Sequence, residues 1–348
     1  MIRRRPLIVA ATVAIALAGC STGHHKAKPS PSASPSTAPP TKAAGPNVPP
    51  GGWLTGLRGP TCPVVIIKVD NAPDARPLQV GLENAQVVYQ EIVEGGVTRF
   101  LGVYAGKSTS DVGPVRSGRD TDIEILAPYG RVIYGFAGAN RGVLNDLSHA
   151  NLSLVPIQYR DGSFVQRGAR LLPGGGIEEY NFFTSTARLI PFGTGHIACV
   201  KDVGFRFGAT LAGGRPLPGR VVARFTPDSL DGLRWDPTHH GWRIDQNGTP
   251  VQMADGRGVR PQNILIQLVR VHPGRYVDVV GENSPDSTLI GSGGAILLRD
   301  GRMYLGYWSR PHLSDLTTWK LQNGKPMLLA PGRTWVLLAP TGTRLVNG

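Results

Sequence analysis

Residues 86–105 read QVVYQEIVEGGVTRFLGVYA, two β-branched and aromatic runs joined by Gly95-Gly96. Such runs suit a pleated, half-buried surface, and a two-glycine link suits a primed turn. The stretch predicts a hairpin, Gln86–Glu94 against Val97–Ala105. A two-residue turn sets Glu94 opposite Val97, Ile92 opposite Arg99 and Glu91 opposite Phe100. One face then carries Gln90, Ile92, Glu94, Val97, Arg99 and Leu101; the other carries Tyr89, Glu91, Val93, Thr98, Phe100 and Tyr104. Glu91 and Glu94 point to opposite faces and are not an acid/base dyad. Glu94 is expected to pair diagonally with Arg99. Glu91 falls among aromatic and branched side chains, where burial raises a carboxyl pKa as a general acid or base requires. The plainer reading is a hydrogen-bonded structural carboxylate.

Upstream, Val64–Val69 reads as a buried strand that ends in the turn Asp70-Asn71-Ala72-Pro73. Asp70 stands where a strand's carboxyl end offers a functional carboxylate, and equally where a turn takes an Asx residue. Downstream, Ser117 and Asp120 in Gly113-Pro114-Val115-Arg116-Ser117-Gly118-Arg119-Asp120 match a capping box opening a helix to about Ala127. Arg116 and Arg119 flank that start and suit a phosphate or carboxylate. The competing reading pairs them with Asp120 and Asp122. A strand over 131–137, a helix over 141–149 and a turn-and-helix over 181–189 complete a module of residues 61–200.

Residues 201–348 are strand-rich, with runs at 221–225, 241–245, 263–271, 276–281, 295–299, 303–308 and 334–339. Gly291–Gly294 reads as a hairpin loop, since neither a lysine nor a helix signal follows. Most of Trp235, Trp242, Trp308, Trp319 and Trp335 are expected in the core. The fold class is α+β: an N-terminal α/β module with a mixed sheet, followed by a β-rich C-terminal module.

The N-terminus carries an address. Arg3–Arg5 precede a largely apolar stretch of twelve residues, Leu7–Ala18, too short to span a bilayer and long enough for a signal peptide. Leu17-Ala18-Gly19-Cys20 matches a lipobox, so residues 1–20 read as a lipoprotein signal with Cys20 lipidated. Residues 21–60, rich in Pro, Ser, Thr and Ala, read as a disordered tether. The net charge of +13 is concentrated there: eight basic residues precede the first acidic one, Asp70. A nucleic-acid reader carries its charge on the folded domain, so that class is disfavoured. Cys62 and Cys199 remain as a pair, expected to form a disulfide in an oxidising compartment.

Several motifs together resemble the YerB-like bacterial lipoprotein family, a two-module domain of unknown function. They are Lys68-Val69-Asp70-Asn71 with Ala75-Arg76-Pro77, Val88–Glu91, Glu94–Arg99 and Gly113–Ser117. The later stretches Asn263–Gln267, Gly291–Gly294, Gly306–Trp308 and Pro331–Trp335 match its second module. The resemblance implies an envelope lipoprotein and carries no activity. Where the family tends to have His-Asn-Leu-Tyr, this chain has Glu179-Tyr180-Asn181-Phe182-Phe183, leaving Asn181 as the surviving position.

No hydrolase, zinc or Walker motif is present, and the histidines lack metal-ligand spacing, so neither metal nor cofactor is expected. The expectation is a membrane-anchored binding or accessory factor for an anionic envelope polymer or lipid-linked phosphate. Its ligand-binding set is Arg76, Arg99, Arg116, Arg119, Asn71 and Asn181. The alternatives are an enzyme on a phosphate-bearing or glycan polymer, with Asp70 or Glu91 as acid/base, and a scaffold whose arginines are structural.

Overall fold

A computed structural model describes residues 48–157, 162–167, 181–277 and 281–348. The signal segment with Cys20, the tether up to residue 47, and Glu179 and Tyr180 lie outside the described residues. In chain order the first strands are β1 (Val64–Asp70), β2 (Val87–Ile92), β3 (Thr98–Ala105), β4 (Ile133–Phe136) and β5 (Ser153–Pro156). Two-residue strands follow: β6 (Val165–Gln166), β7 (Phe182–Phe183) and β8 (Arg215–Pro216). Then come β9 (Val221–Thr226), β10 (Ser229–Asp236), β11 (Gly241–Gln246), β12 (Thr249–Pro250), β13 (Asn263–Val277) and β14 (Asn283–Thr288). The last are β15 (Gly291–Arg299), β16 (Arg302–Arg310), β17 (Thr318–Leu321), β18 (Thr334–Pro340) and β19 (Leu345–Asn347). The helices are α1 (Thr121–Leu126), α2 (Arg141–His149) and α3 (Thr186–Leu189).

The protein is β-rich around one large mixed sheet, ordered β17-β16-β15-β13-β18-β2-β3-β1-β4-β5, with β14 on β13 and β8 on β16. Both sequence halves contribute to it. Their seam is the parallel pair β18–β2, Thr334↔Val87 to Leu337↔Gln90. A second sheet, β12-β11-β10-β9-β19, packs its Val221, Phe225, Leu233, Trp242 and Ile244 against one face of the first. On the other face Tyr134 and Leu101 meet Ile125 and Leu126 of α1 and Val143 and Leu147 of α2. Covered on both sides, β1 is buried at all seven positions, which explains the branched residues at Val64–Ile67 and Val69. Among the described residues no helix is long and apolar enough to cross a membrane.

Several expectations are corrected. The hairpin register is one residue off. Glu91 lies opposite Arg99, Gln90 opposite Phe100 and Ile92 opposite Thr98. The turn is three residues, Glu94–Gly96, closed by the Val93 N–H to Val97 O bond, with both glycines at positive φ. The slip moves Arg99 onto the face of Glu91. The capping box does not form: Ser117 Oγ donates to Ala137 O, and Asp122 Oδ2 accepts the Arg119 N–H. Helix α1 opens three residues later than predicted, with Asp120 rather than Ser117 at its N-cap. Gly291–Gly294 is the start of β15 rather than a loop, paired with Tyr307–Arg310. A Cβ on Gly293 would meet the Trp308 indole, whose Nε1 donates to Leu268 O. Packed chain begins before residue 60, since Leu54 is fully buried. The Cys62–Cys199 disulfide is present and ties the entry of β1 to a segment 137 residues later.

Candidate functional site

Strands β1 and β4 pair in parallel from Val65↔Ile133 to Ile67↔Gly135 and then diverge. The segment after β3 fills the gap. Asp70 N–H bonds Pro114 O, Arg116 N–H bonds Lys68 O, Ala137 N–H bonds Arg116 O and Gly118 N–H bonds Gly138 O. This insertion delivers Arg116, Ser117 and Arg119 to the carboxyl ends of two parallel strands, the position at which open α/β sheets place ligands. The resulting cleft, about 640 Å³, is lined by Asp70, Glu94, Arg99, Arg116, Ser117, Arg119, Asn140, Glu282 and Ser284, among others.

Three guanidinium groups meet there in different states. Arg116 Nε lies 2.7 Å from Asp70 Oδ2, while Asp70 Oδ1 accepts the Ala72 N–H at 2.8 Å. Arg119 grips Glu94 through Nε (3.0 Å) and Nη2, and Ser284 Oγ also donates to Glu94. Burial opposes ionisation of Glu94, yet Arg119 and Ser284 hold its carboxyl down at about 2. Arg99 differs. It is 7% exposed, its Nη1 donates to Ser117 O at 3.2 Å, and its Nε has no partner. Register sets it between Asp70 and Glu91, but no carboxylate comes within ion-pair distance of it among the described residues. Burial, and then Arg119, depress its pKa to about 10. A buried cation whose partner among the described residues is a carbonyl is held at a cost. Glu282, at the rim, accepts the Gly95 N–H.

The remaining nominated residues lie elsewhere. Glu91 is fully buried and does not line the cleft. It touches Lys68 Nζ, which also donates to Asp122 Oδ1 at 2.6 Å. Asp122 Oδ2 in turn accepts Tyr134 Oη at 2.5 Å. Burial lifts Glu91 to about 8 despite Lys68. It is a structural carboxylate without access to a substrate, which corrects the acid/base reading. Asn71 is fully buried, donating to Thr98 Oγ1 and accepting from Gln79 Nε2. Arg76 lines a different pocket. Asn181 is 3% exposed beside the short β7 strand, where its carbonyl accepts the Arg167 N–H. Sequence reasoning missed Lys68. A lysine inside a branched run buried on both faces was the visible signal, because such a cation needs a carboxylate beneath it.

Two family models match the chain: the N-terminal domain of a protein of unknown function (DUF3048), over residues 54–193, and the C-terminal domain of the same family, over 221–336. Over 58 residues the chain is 45% identical to a Bacillus subtilis (strain 168) protein named "Putative lipoprotein YerB". That stretch is 17% of this chain and 17% of the relative's length. The crystal structure of YerB protein from Bacillus subtilis superposes with a TM-score of 0.68 at 21% identity, covering 84% of this chain and 98% of that one. At that identity the likeness is one of fold.

Proposed function

This chain belongs to the DUF3048 family of proteins of unknown function, and from that premise we propose that it is a lipid-anchored envelope protein whose arginine cleft binds an anionic group. The ligand class is a phosphate or carboxylate borne by an envelope polymer or lipid. Cys20 carries the anchor in this reading, supported by the lipobox and by the lipoprotein name of the Bacillus subtilis relative. The observation that carries the binding role is Arg99, a guanidinium 93% buried at the cleft with no carboxylate within ion-pair distance among the described residues. Asp70 is assigned to hold Arg116 in place: one of its oxygens faces that guanidinium and the other a backbone N–H, which leaves a poor proton acceptor.

The test is calorimetric titration of the full chain with inorganic phosphate and pyrophosphate at low and high salt, beside Arg99→Gln. Salt-sensitive binding should weaken about tenfold or more in the variant. Arg99→Gln should melt no lower than the parent, because it removes an unpaired buried charge. Equal binding by both proteins, or a variant that melts well below the parent, would assign Arg99 to the fold and favour the scaffold reading.

A further inference from the structure

On the helix-bearing face of the large sheet lies a small cavity of about 10 Å³, bounded by Ile125 of α1 and by Phe205. It shares no lining residue with the arginine cleft. Register puts its polar residues on one face. Arg310 ends β16, two positions beyond Trp308, and Trp308 lies opposite Trp319 of β17. Gln267 of β13 lies opposite Ala295 of β15, which in turn lies opposite Gly306, two positions before Trp308.

The stranded polar atoms of these lining residues are all donors. Arg310 is 1% exposed, and its Nε and Nη2 have no partner. Gln267 Nε2 and Trp319 Nε1, both on buried side chains, are likewise unpartnered. The neighbouring Trp308 indole, by contrast, reaches Leu268 O. No carboxylate lines the cavity. Glu124 and Asp315 are near enough for Arg310 to feel their charge, but among the described residues neither comes within ion-pair distance of it. Glu124 accepts the Leu289 N–H, and Asp315 is turned to His312. The Tyr89 hydroxyl at the cavity wall is already bonded to that of Tyr129, and burial pushes its pKa up to about 12, so it stays neutral.

Buried polar groups are nearly always paired, and polar cavities are filled. A water accepts two hydrogen bonds and has two protons of its own to place. Both Arg310 nitrogens and the Trp319 indole can only donate. A monatomic anion takes every donor and neutralises the buried guanidinium as well. The cavity has room for about one atom-sized guest, so phosphate, sulfate and carboxylates are too large for it. We propose that Arg310, Trp319 and Gln267 form a buried halide site, occupied by chloride. The ion neutralises a charge held between the β16–β17 edge and the elements that cover it, so its binding is read as stability.

The experiment is a set of thermal melts of the full chain in sodium chloride, sodium bromide and sodium gluconate at matched ionic strength. Chloride should raise Tm saturably, by about 3 °C at ten times its Kd, and bromide should do the same. Arg310→Met keeps the stem and deletes the charge and its donors, so its melts in chloride and gluconate should coincide. Trp319→Phe removes one donor and carries the test should Arg310→Met fail to fold. Its chloride response should need about tenfold more salt. Arg99→Gln should keep the parent's response, which separates this site from the arginine cleft. Coincident chloride and gluconate melts of the parent up to about 0.5 M salt would overturn the proposal and leave the cavity to water. A chloride shift unchanged in folded Arg310→Met protein, or in Trp319→Phe, would overturn it as well.

Discussion

Replacing Lys68 by methionine probes a fully buried cluster of charged groups in the sheet. Lys68, Glu91 and Asp122 are all fully buried, one ammonium against two carboxyl groups. With Glu91 lifted to about 8 it is largely neutral at pH 7, and the charge pair at that pH is Lys68 with Asp122. Methionine fills the lysine's space and leaves Asp122 charged. Removing one member of a buried pair costs about 3–5 kcal/mol. Asp122 keeps the Tyr134 hydroxyl and the Arg119 N–H, so the lower end, about 3 kcal/mol, is expected. In a unit of this size each kcal/mol moves Tm by roughly 2 °C, giving a loss of about 6 °C in a calorimetric melt. The double variant Lys68→Met/Asp122→Asn removes the stranded charge and should recover about half of the loss, a non-additivity expected of contacting residues. A single variant that melts within about 1 °C of the parent would refute this account. So would a double variant no more stable than the single.

Glu91→Gln tests the same cluster by pH. The folded pKa of about 8 exceeds the ordinary 4.5, so the folded state binds more protons between those values. Stability from this group is present below 4.5 and is lost as pH rises to about 8. Urea titrations at pH 5 and 8 should show a smaller drop in the variant, and parallel profiles would contradict the assignment. Cys62→Ser opens a loop closed across 137 residues, for which chain entropy gives about 5 kcal/mol, readable as a lower urea midpoint. Gly204→Ala places a Cβ 1.9 Å from Thr317 O at φ +105°, so a loss of about 2 kcal/mol or more is expected in the same assay.

Local patterns in the sequence located many elements but not their partners. Branched runs located β1, and Asn140 capping the Gly142 N–H explains why α2 begins where expected. The register failed at Gly95-Gly96 because two glycines serve a three-residue turn as readily as a two-residue one. Opposing Glu91 with Arg99 across the hairpin was the discriminating hint. Strand β10 was missed because Asp228, Asp231 and Gly232 imitate turn chemistry while Leu230 and Leu233 alternate poorly. Asp70, Arg99, Arg116 and Arg119 line one cleft. Arg76 and Asn71, only a few residues from Asp70, turn away to the other face of the sheet. That separation depends on β10 and β11 arriving from far along the chain, which no local pattern reveals.

The parallel pairing of β18 with β2 sets an order of events during synthesis. Strand β2 is complete by residue 92, but its neighbour on that side starts at residue 334. While the chain emerges vectorially, β2 presents an open edge with fully buried-type side chains, an invitation to pair with another molecule. Closure waits for residues 334–340, and β19 then seals the second sheet against β9. Long-range closure of this kind is slow. A nascent chain stalled before residue 334 therefore exposes its sticky edge for the whole pause, and loss of only the final strands would leave the first half of the polypeptide unable to finish folding.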